Sequence, residues 1–146
     1  MKLNLDCIRD ILIVIENEQQ MEFIDQSFVG EPDDESGMLL SGRPKAMYSD
    51  ELLKNENLKK YTPDDILYSI RQMIENGLLD DDDETITCGI TIYCISDITP
   101  HGHEFISNLQ SSNAWEKLKS KLKVIGGASL TVIAKIAAEE AIKHLI

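Results

Sequence analysis

The residues best suited to chemistry lie in His101-Gly102-His103-Glu104, which places two imidazoles and a carboxylate within four positions. Such a set could hold a transition metal. The spacing argues otherwise, because His residues two apart at a helix start do not share a face, unlike the i, i+4 pairs that bind zinc. Cys88 and Cys94 fit no common zinc pattern and read as small packing residues on strands. The five consecutive acids Asp80–Glu84 supply oxygen ligands but lack the alternating Asp-x-Asp-x-Asp-Gly spacing of a calcium loop. They read as a solubilising turn, with an acidic surface for a basic partner as the sharper alternative. Nucleophilic catalysis needs a nucleophile, a base and an orienting group. The chain has no Gly-x-Ser-x-Gly, no Gly-rich phosphate loop and no His-Glu-x-x-His. The expectation is a protein that is not an enzyme, with no catalytic residue, no cofactor and no metal.

Two further groups could contact nucleic acid. On the helix opened by Thr62-Pro63 and ended by Asn76-Gly77 the outward positions are Asp64, Asp65, Tyr68, Ser69, Arg71, Gln72, Glu75 and Asn76. Ser69, Arg71, Gln72 and Asn76 suit base edges or phosphates. Asp64 and Asp65 stand at the end that would enter the groove, where they would meet phosphates. Lys117, Lys119, Lys121 and Lys123 follow Trp115. On a helix they spread around the axis, with Lys117 and Lys121 on one side and Lys119 and Lys123 on another. This is the best place for phosphate or acidic-partner contact, against the plainer reading of a solvated helix with Trp115 in the core.

Charge weighs on both ideas. Residues 1–100 carry 8 basic and 22 acidic side chains, residues 101–146 carry 6 and 4, and the formal total is −12. An acidic body repels phosphate backbones, so any nucleic-acid role must rest on a local basic patch.

These groups must be positioned by a single domain, since 146 residues suffice for one core and not comfortably for two. Three cysteines are too few and odd in number for a secreted disulfide scaffold. The start Met1–Asp6 lacks a charged region followed by an apolar run, and no stretch of about 18 apolar residues occurs. Cytoplasm is the expected compartment, with no membrane partner.

Apolar spacing predicts a first helix over 3–17, carrying Leu5, Ile8, Ile11, Leu12 and Ile15 with Asn4 as its cap. Residues 18–47 read as an insertion, with a short strand at Met21, Phe23 and Ile24. A short helix is predicted over 49–60. Thr62-Pro63-Asp64-Asp65 then opens a helix with the stripe Ile66, Leu67, Ile70, Met73 and Ile74, closed by Asn76-Gly77. Thr85–Cys88 and Ile90–Ile98 read as two antiparallel strands. Thr99-Pro100 opens a helix with Phe105, Ile106 and Leu109 inward, where Gly102 allows close packing and His103 makes a structural hydrogen bond. Two more helices follow, at about 112–125 and 129–145. This order predicts an α+β, winged helix-turn-helix-like core at 1–110, with a helical extension at 111–146.

Several segments resemble a known family. Met1–Leu12, Tyr61-Thr62-Pro63-Asp64-Asp65-Ile66 with Ser69-Ile70-Arg71-Gln72, Asp97–Ile106, and Trp115 with its Lys-rich helix are similar, in order, to the bacterial and phage family called domain of unknown function twenty-five thirteen. The Gly102-His103-Glu104-Phe105 segment is the most specific part, and residues 18–47 fit poorly. The resemblance implies a winged-helix-like fold and frequent residence in prophages and mobile elements. It implies no activity and no functional residue.

The last helix is apolar over a wide arc. Leu130, Ile133, Ile136, Ala137, Ala141, Ile142 and Leu145 point to a helix–helix homodimer interface, with docking inside the chain as the other reading. Together the residues favour a non-catalytic interaction module binding a protein partner or itself. A DNA-binding regulator of a phage or mobile element is the alternative, drawn from fold analogy.

Overall fold

The computed structural model describes residues 3–25, 40–81, 85–87, 90–109, 112–125 and 130–144. Helices pack around a small antiparallel sheet, an α+β arrangement. Helix α1 spans Leu5–Glu18, strands β1 and β2 span Met21–Asp25 and Leu40–Pro44, and β3 is Met47–Tyr48. Helix α2 is Ser49–Leu53 and α3 is Pro63–Glu75. Strands β4 (Leu79–Asp81), β5 (Thr85–Thr87), β6 (Ile90–Ile92) and β7 (Cys94–Ile98) precede α4 (Pro100–Leu109), α5 (Ser112–Ile125) and α6 (Leu130–His144).

Helix α1 is the centre of the core. Its Cys7, Ile8, Ile11, Leu12, Val14 and Ile15 are all buried. They meet Ile66, Ile70 and Met73 of α3 and Phe105 and Leu109 of α4 within one apolar cluster. The Asn4 side chain accepts the Cys7 N–H at 3.1 Å and caps the helix.

Helix α3 begins and ends as its residues dictate. Thr62 Oγ1 accepts the Asp65 N–H at 3.1 Å and Pro63 takes the first helical position. At the far end Gly77 adopts a φ of 75°. The Leu78 N–H donates to Met73 O (2.8 Å) and the Gly77 N–H to Ile74 O (3.2 Å), the paired bonds of a Schellman ending.

The helix predicted over 49–60 is broken in two. After α2, Asn55 accepts the Asn57 N–H at 2.9 Å and starts a separate 3₁₀ turn, Glu56–Leu58. A side chain that bonds its own backbone two residues on competes with helix continuation. Leu52 and Leu58 still reach the core.

The main sheet has the strand order β3-β7-β4, antiparallel throughout. Leu79 faces Ile98 and Asp80 faces Asp97, and a register shift follows between Asp80 and Asp81. The start of the acidic run is therefore a sheet strand and not a turn, because β7 supplies hydrogen-bond partners that outweigh the low strand propensity of Asp. Residues 82–84 lie outside the described residues. Beyond this sheet β5 pairs with β6, Thr85 facing Ile92, so the strand predicted over 90–98 is divided at Tyr93. Tyr93 exchanges bonds with buried Ser49: the Ser49 N–H donates to Tyr93 O (2.9 Å) and Ser49 Oγ accepts the Tyr93 N–H (3.0 Å). Strands β1 and β2, between α1 and β3 in chain order, pair antiparallel as a separate two-stranded sheet.

Thr99 ties α3, β7 and α4 together. Its hydroxyl donates to Gly77 O and accepts the Gly102 N–H at 3.0 Å, and its N–H donates to Leu78 O at 3.1 Å. Gly102 sits so close that a Cβ there would lie 2.2 Å from Leu78 O and 2.5 Å from Ile98 Cγ2.

Candidate functional site

The outer face of α3 and β4 is built on the inner one. Ile66, Ser69, Ile70 and Met73 are buried at i, i+3, i+4 and i+7. Ser69 is thus no nucleic-acid contact. It is 0% exposed and its hydroxyl lies beside the Cys7 thiol, two small residues that let α3 approach α1. A serine in an apolar stripe was read by polarity when its size is what the crossing uses. Burial pushes the Cys7 thiol up to about 11, with Asp65 and Asp10 adding to the rise against a pull down from Ser69. This keeps Cys7 protonated and unreactive. Cys94 is likewise buried and reduced, and Cys88 lies outside the described residues.

Of the remaining expected contacts on α3, Arg71 is engaged within the chain, its Nε 3.0 Å from Glu75 Oε1 on the next turn. Gln72 is half-buried, and its backbone carbonyl accepts Asn76 Nδ2 at 2.7 Å. Lysines just before α3 are paired too, Lys59 with Glu56 (2.7 Å) and Lys60 with Asp10 (3.0 Å). Asp64, Asp65, Asp80 and Asp81 have no ion pair among the described residues. Asp64 and Asp65 sit in the first turn of α3, where the helix dipole favours negative charge. Asp64 and Asp65 stand at the start of α3 and Asp80 and Asp81 on β4 past its far end, so carboxylates without an ion pair among the described residues flank both ends of the helix.

Tyr61, at the entrance to α3, anchors this face from behind. Its hydroxyl donates to Asp10 on α1. Burial, and then the bond to the Asp10 carboxylate, raise the phenol above its ordinary value, so it stays a donor.

A second polar cluster joins α1 to α5. Trp115 is 4% exposed, and its Nε1–H donates to Asp6 Oδ1 at 3.0 Å. Lys119 Nζ donates to both Asp6 oxygens, at 3.0 and 3.1 Å. Arg9 and Lys119 lie 5.3 and 5.5 Å from the indole centroid, within cation–π range. Burial pushes the Asp6 carboxyl up, but the bonds from Lys119 and Trp115 outweigh it and hold the group below its ordinary value. Lys119 is thereby committed to the fold. Lys117 is exposed and Lys121 half-buried on the same helix.

A cleft of about 350 Å³ lies where the end of α3 meets α4 and α6, with Leu78, Phe105 and Leu130 at its base and His101, Glu104 and Lys135 among its lining. Both His101 and His103 are exposed, and the hydrogen bond described at His103 is that of its backbone N–H to Thr99 O (2.9 Å). No cluster of three His, Cys, Asp or Glu side chains able to hold a metal occurs among the described residues.

Residues 2–129 match the family described as "Hypothetical protein (DUF2513)". The chain belongs to this family. No curated protein and no solved structure matches it. The DUF2513 match takes in α1 through α5 and stops one residue before α6. On that appended helix Leu130, Ile133 and Ala137 are 1–2% exposed, packed with α4 and α5 of the same chain. The chain itself thus covers those three positions, which were read from the sequence as a homodimer interface. Ile136 is half-buried. The side chains of Ala141 and Ile142, and Leu145, lie outside the described residues. No described helix is long and apolar enough to cross a membrane.

The DUF2513 residues that sequence reasoning missed are Asp6, Asp10 and Tyr61. Their bonds reach 109 and 51 positions along the chain, distances at which helical and strand periodicities carry no signal. Thr99 caps α4 as its sequence suggests, and its added bond to Gly77 O, 22 positions away, is the part the sequence does not show.

Proposed function

We propose that this protein is a non-catalytic winged-helix interaction module that binds a basic protein surface through the outer face of α3 and β4. The winged-helix reading is supported by the element order. A helix (α1) and a strand (β3) precede a helix pair (α2, α3), and two antiparallel strands (β4, β7) return to the sheet with the β5–β6 hairpin beyond them. In a DNA reader of this shape the α3 face would bring cations to phosphates. Here Lys59, Lys60 and Arg71 are paired with their own neighbours, while Asp64, Asp65, Asp80 and Asp81 have no ion pair among the described residues. That imbalance carries the proposal. It favours a partner rich in Lys and Arg and repels a nucleic-acid backbone.

The second reading is a DNA-binding transcriptional regulator of a phage or mobile element. It is favoured by the same element order, which many DNA-binding proteins share. One pair of titrations separates the two. A labelled Lys/Arg-rich peptide and a labelled random-sequence DNA duplex are each followed by fluorescence anisotropy at low and physiological salt. The interaction reading expects peptide binding that weakens with salt and with the double substitution Asp64→Asn, Asp65→Asn, and no duplex binding. Duplex binding that falls steeply as salt rises, with no peptide binding, would establish the regulator instead.

A further inference from the structure

We infer that the surface formed by α4 and α5 is a helix-docking site, that α6 is its detachable occupant, and that α6 of a second copy of this chain fits the same place. Four observations converge on this. The family match ends at residue 129 and α6 begins at Leu130, so the helix lies outside the matched segment. The chain between α5 and α6 reads Gly126-Gly127-Ala128-Ser129, a run of small residues. The helix is seated by Leu130, Ile133 and Ala137, anchors at i, i+3 and i+7, which is how an amphipathic helix lies in a groove. Finally, the seat is incomplete: the cleft of about 350 Å³ opens along Leu130, Thr131, Ala134 and Lys135.

Thr131 Oγ1 donates to Asn76 Oδ1 at 2.9 Å in an exposed position, where water can replace either partner. The outer face of α6 carries Val132 at 42% exposure. Alanine at 134, 137 and 138 raises the intrinsic helix propensity of the segment. Exchange between two copies would reproduce every contact now made within one, giving a closed two-fold pair.

The test replaces residues 126–129 with a protease site in the full chain, cleaves the folded protein, and adds a fluorescein-labelled peptide of residues 128–146. Exchange predicts that the cleaved protein takes up the labelled peptide saturably. The intact chain should bind it at least about tenfold more weakly, because a tethered helix competes at high effective concentration. A peptide carrying Ile133→Asp should not bind. A second variant, the intact chain with Ile133→Asp, should release its own helix and accept the wild-type peptide as the cleaved chain does. The idea fails if the cleaved protein keeps α6 without exchange, or if Trp115 fluorescence shows the domain unfolding once α6 leaves. It fails equally if the Ile133→Asp peptide binds as well as the wild type, or if a folded Ile133→Asp chain takes up no peptide.

Discussion

Helices α1 and α6 are nearly equal in length, at 14 and 15 residues, and both are rich in Ile, Leu and Ala or Val. They are held very differently. Helix α1 buries six side chains, five of them Ile, Leu or Val, and touches α3, α4, β7 and the 3₁₀ turn. Helix α6 buries three among its described side chains, one of them an alanine, and packs on α4 and α5. Because burial free energy scales with apolar area, an alanine contributes far less than an isoleucine in the same seat. Apolar content alone does not distinguish a core helix from an appended one. The size of the residues at the contact, and how many sides of the helix are covered, do.

The comparison can be broken most directly by trimming the same side chain in each helix. Ile11→Ala in α1 should cost about 2–5 kcal/mol, seen as a lowered denaturant midpoint by Trp115 fluorescence. Ile133→Ala in α6 should fall at or below the low end of that range. Equal costs in a single transition would make α6 as integral to the core as α1. Between the two lies the Thr99 junction, and Gly102→Ala should destabilise by about 1–3 kcal/mol through overpacking, since its Cβ would sit 2.2 Å from Leu78 O. A thermal melt little different from wild type would mean that β7 and α4 can separate freely. Removing the α3 cap with Thr62→Ala should cost about 1 kcal/mol, measured by the same denaturation.

The smallest effect concerns Asp6, which links α1 to α5. Its carboxyl is held below the ordinary value of 3.8, so its contribution is present above that pH and is lost as pH falls through the folded value. The side chain is 49% exposed, and an ion pair so open to solvent is worth at most about 1 kcal/mol. Asp6→Asn should therefore lower the melting temperature slightly at pH 7, and the difference should close on acidification below pH 3.8. A gap that persists in acid would assign the effect to packing against Trp115 and not to charge.

Local chemistry was legible in the sequence wherever one residue and its near neighbours decide the outcome. Asn4 and Thr62 cap their helices, Gly77 ends α3, and Phe105, Ile106 and Leu109 face inward. The α+β class and the family followed from such segments. Less legible were positions where a distant partner sets the role. Ser69 is polar by type but is chosen for size against Cys7, and Asp80 and Asp81 join a strand because β7 lies alongside. The acidic face was visible as a run of letters. That its neighbouring cations are already neutralised became visible only when Glu56, Glu75 and Asp10 were placed beside them.

Gly102 carries a consequence at the level of the gene. Every missense change open to a glycine codon introduces a Cβ, and the space where that atom would go is already filled by Leu78 O and Ile98 Cγ2. Even alanine, the smallest of these, meets that obstruction, so every single-base missense change at this codon lowers stability.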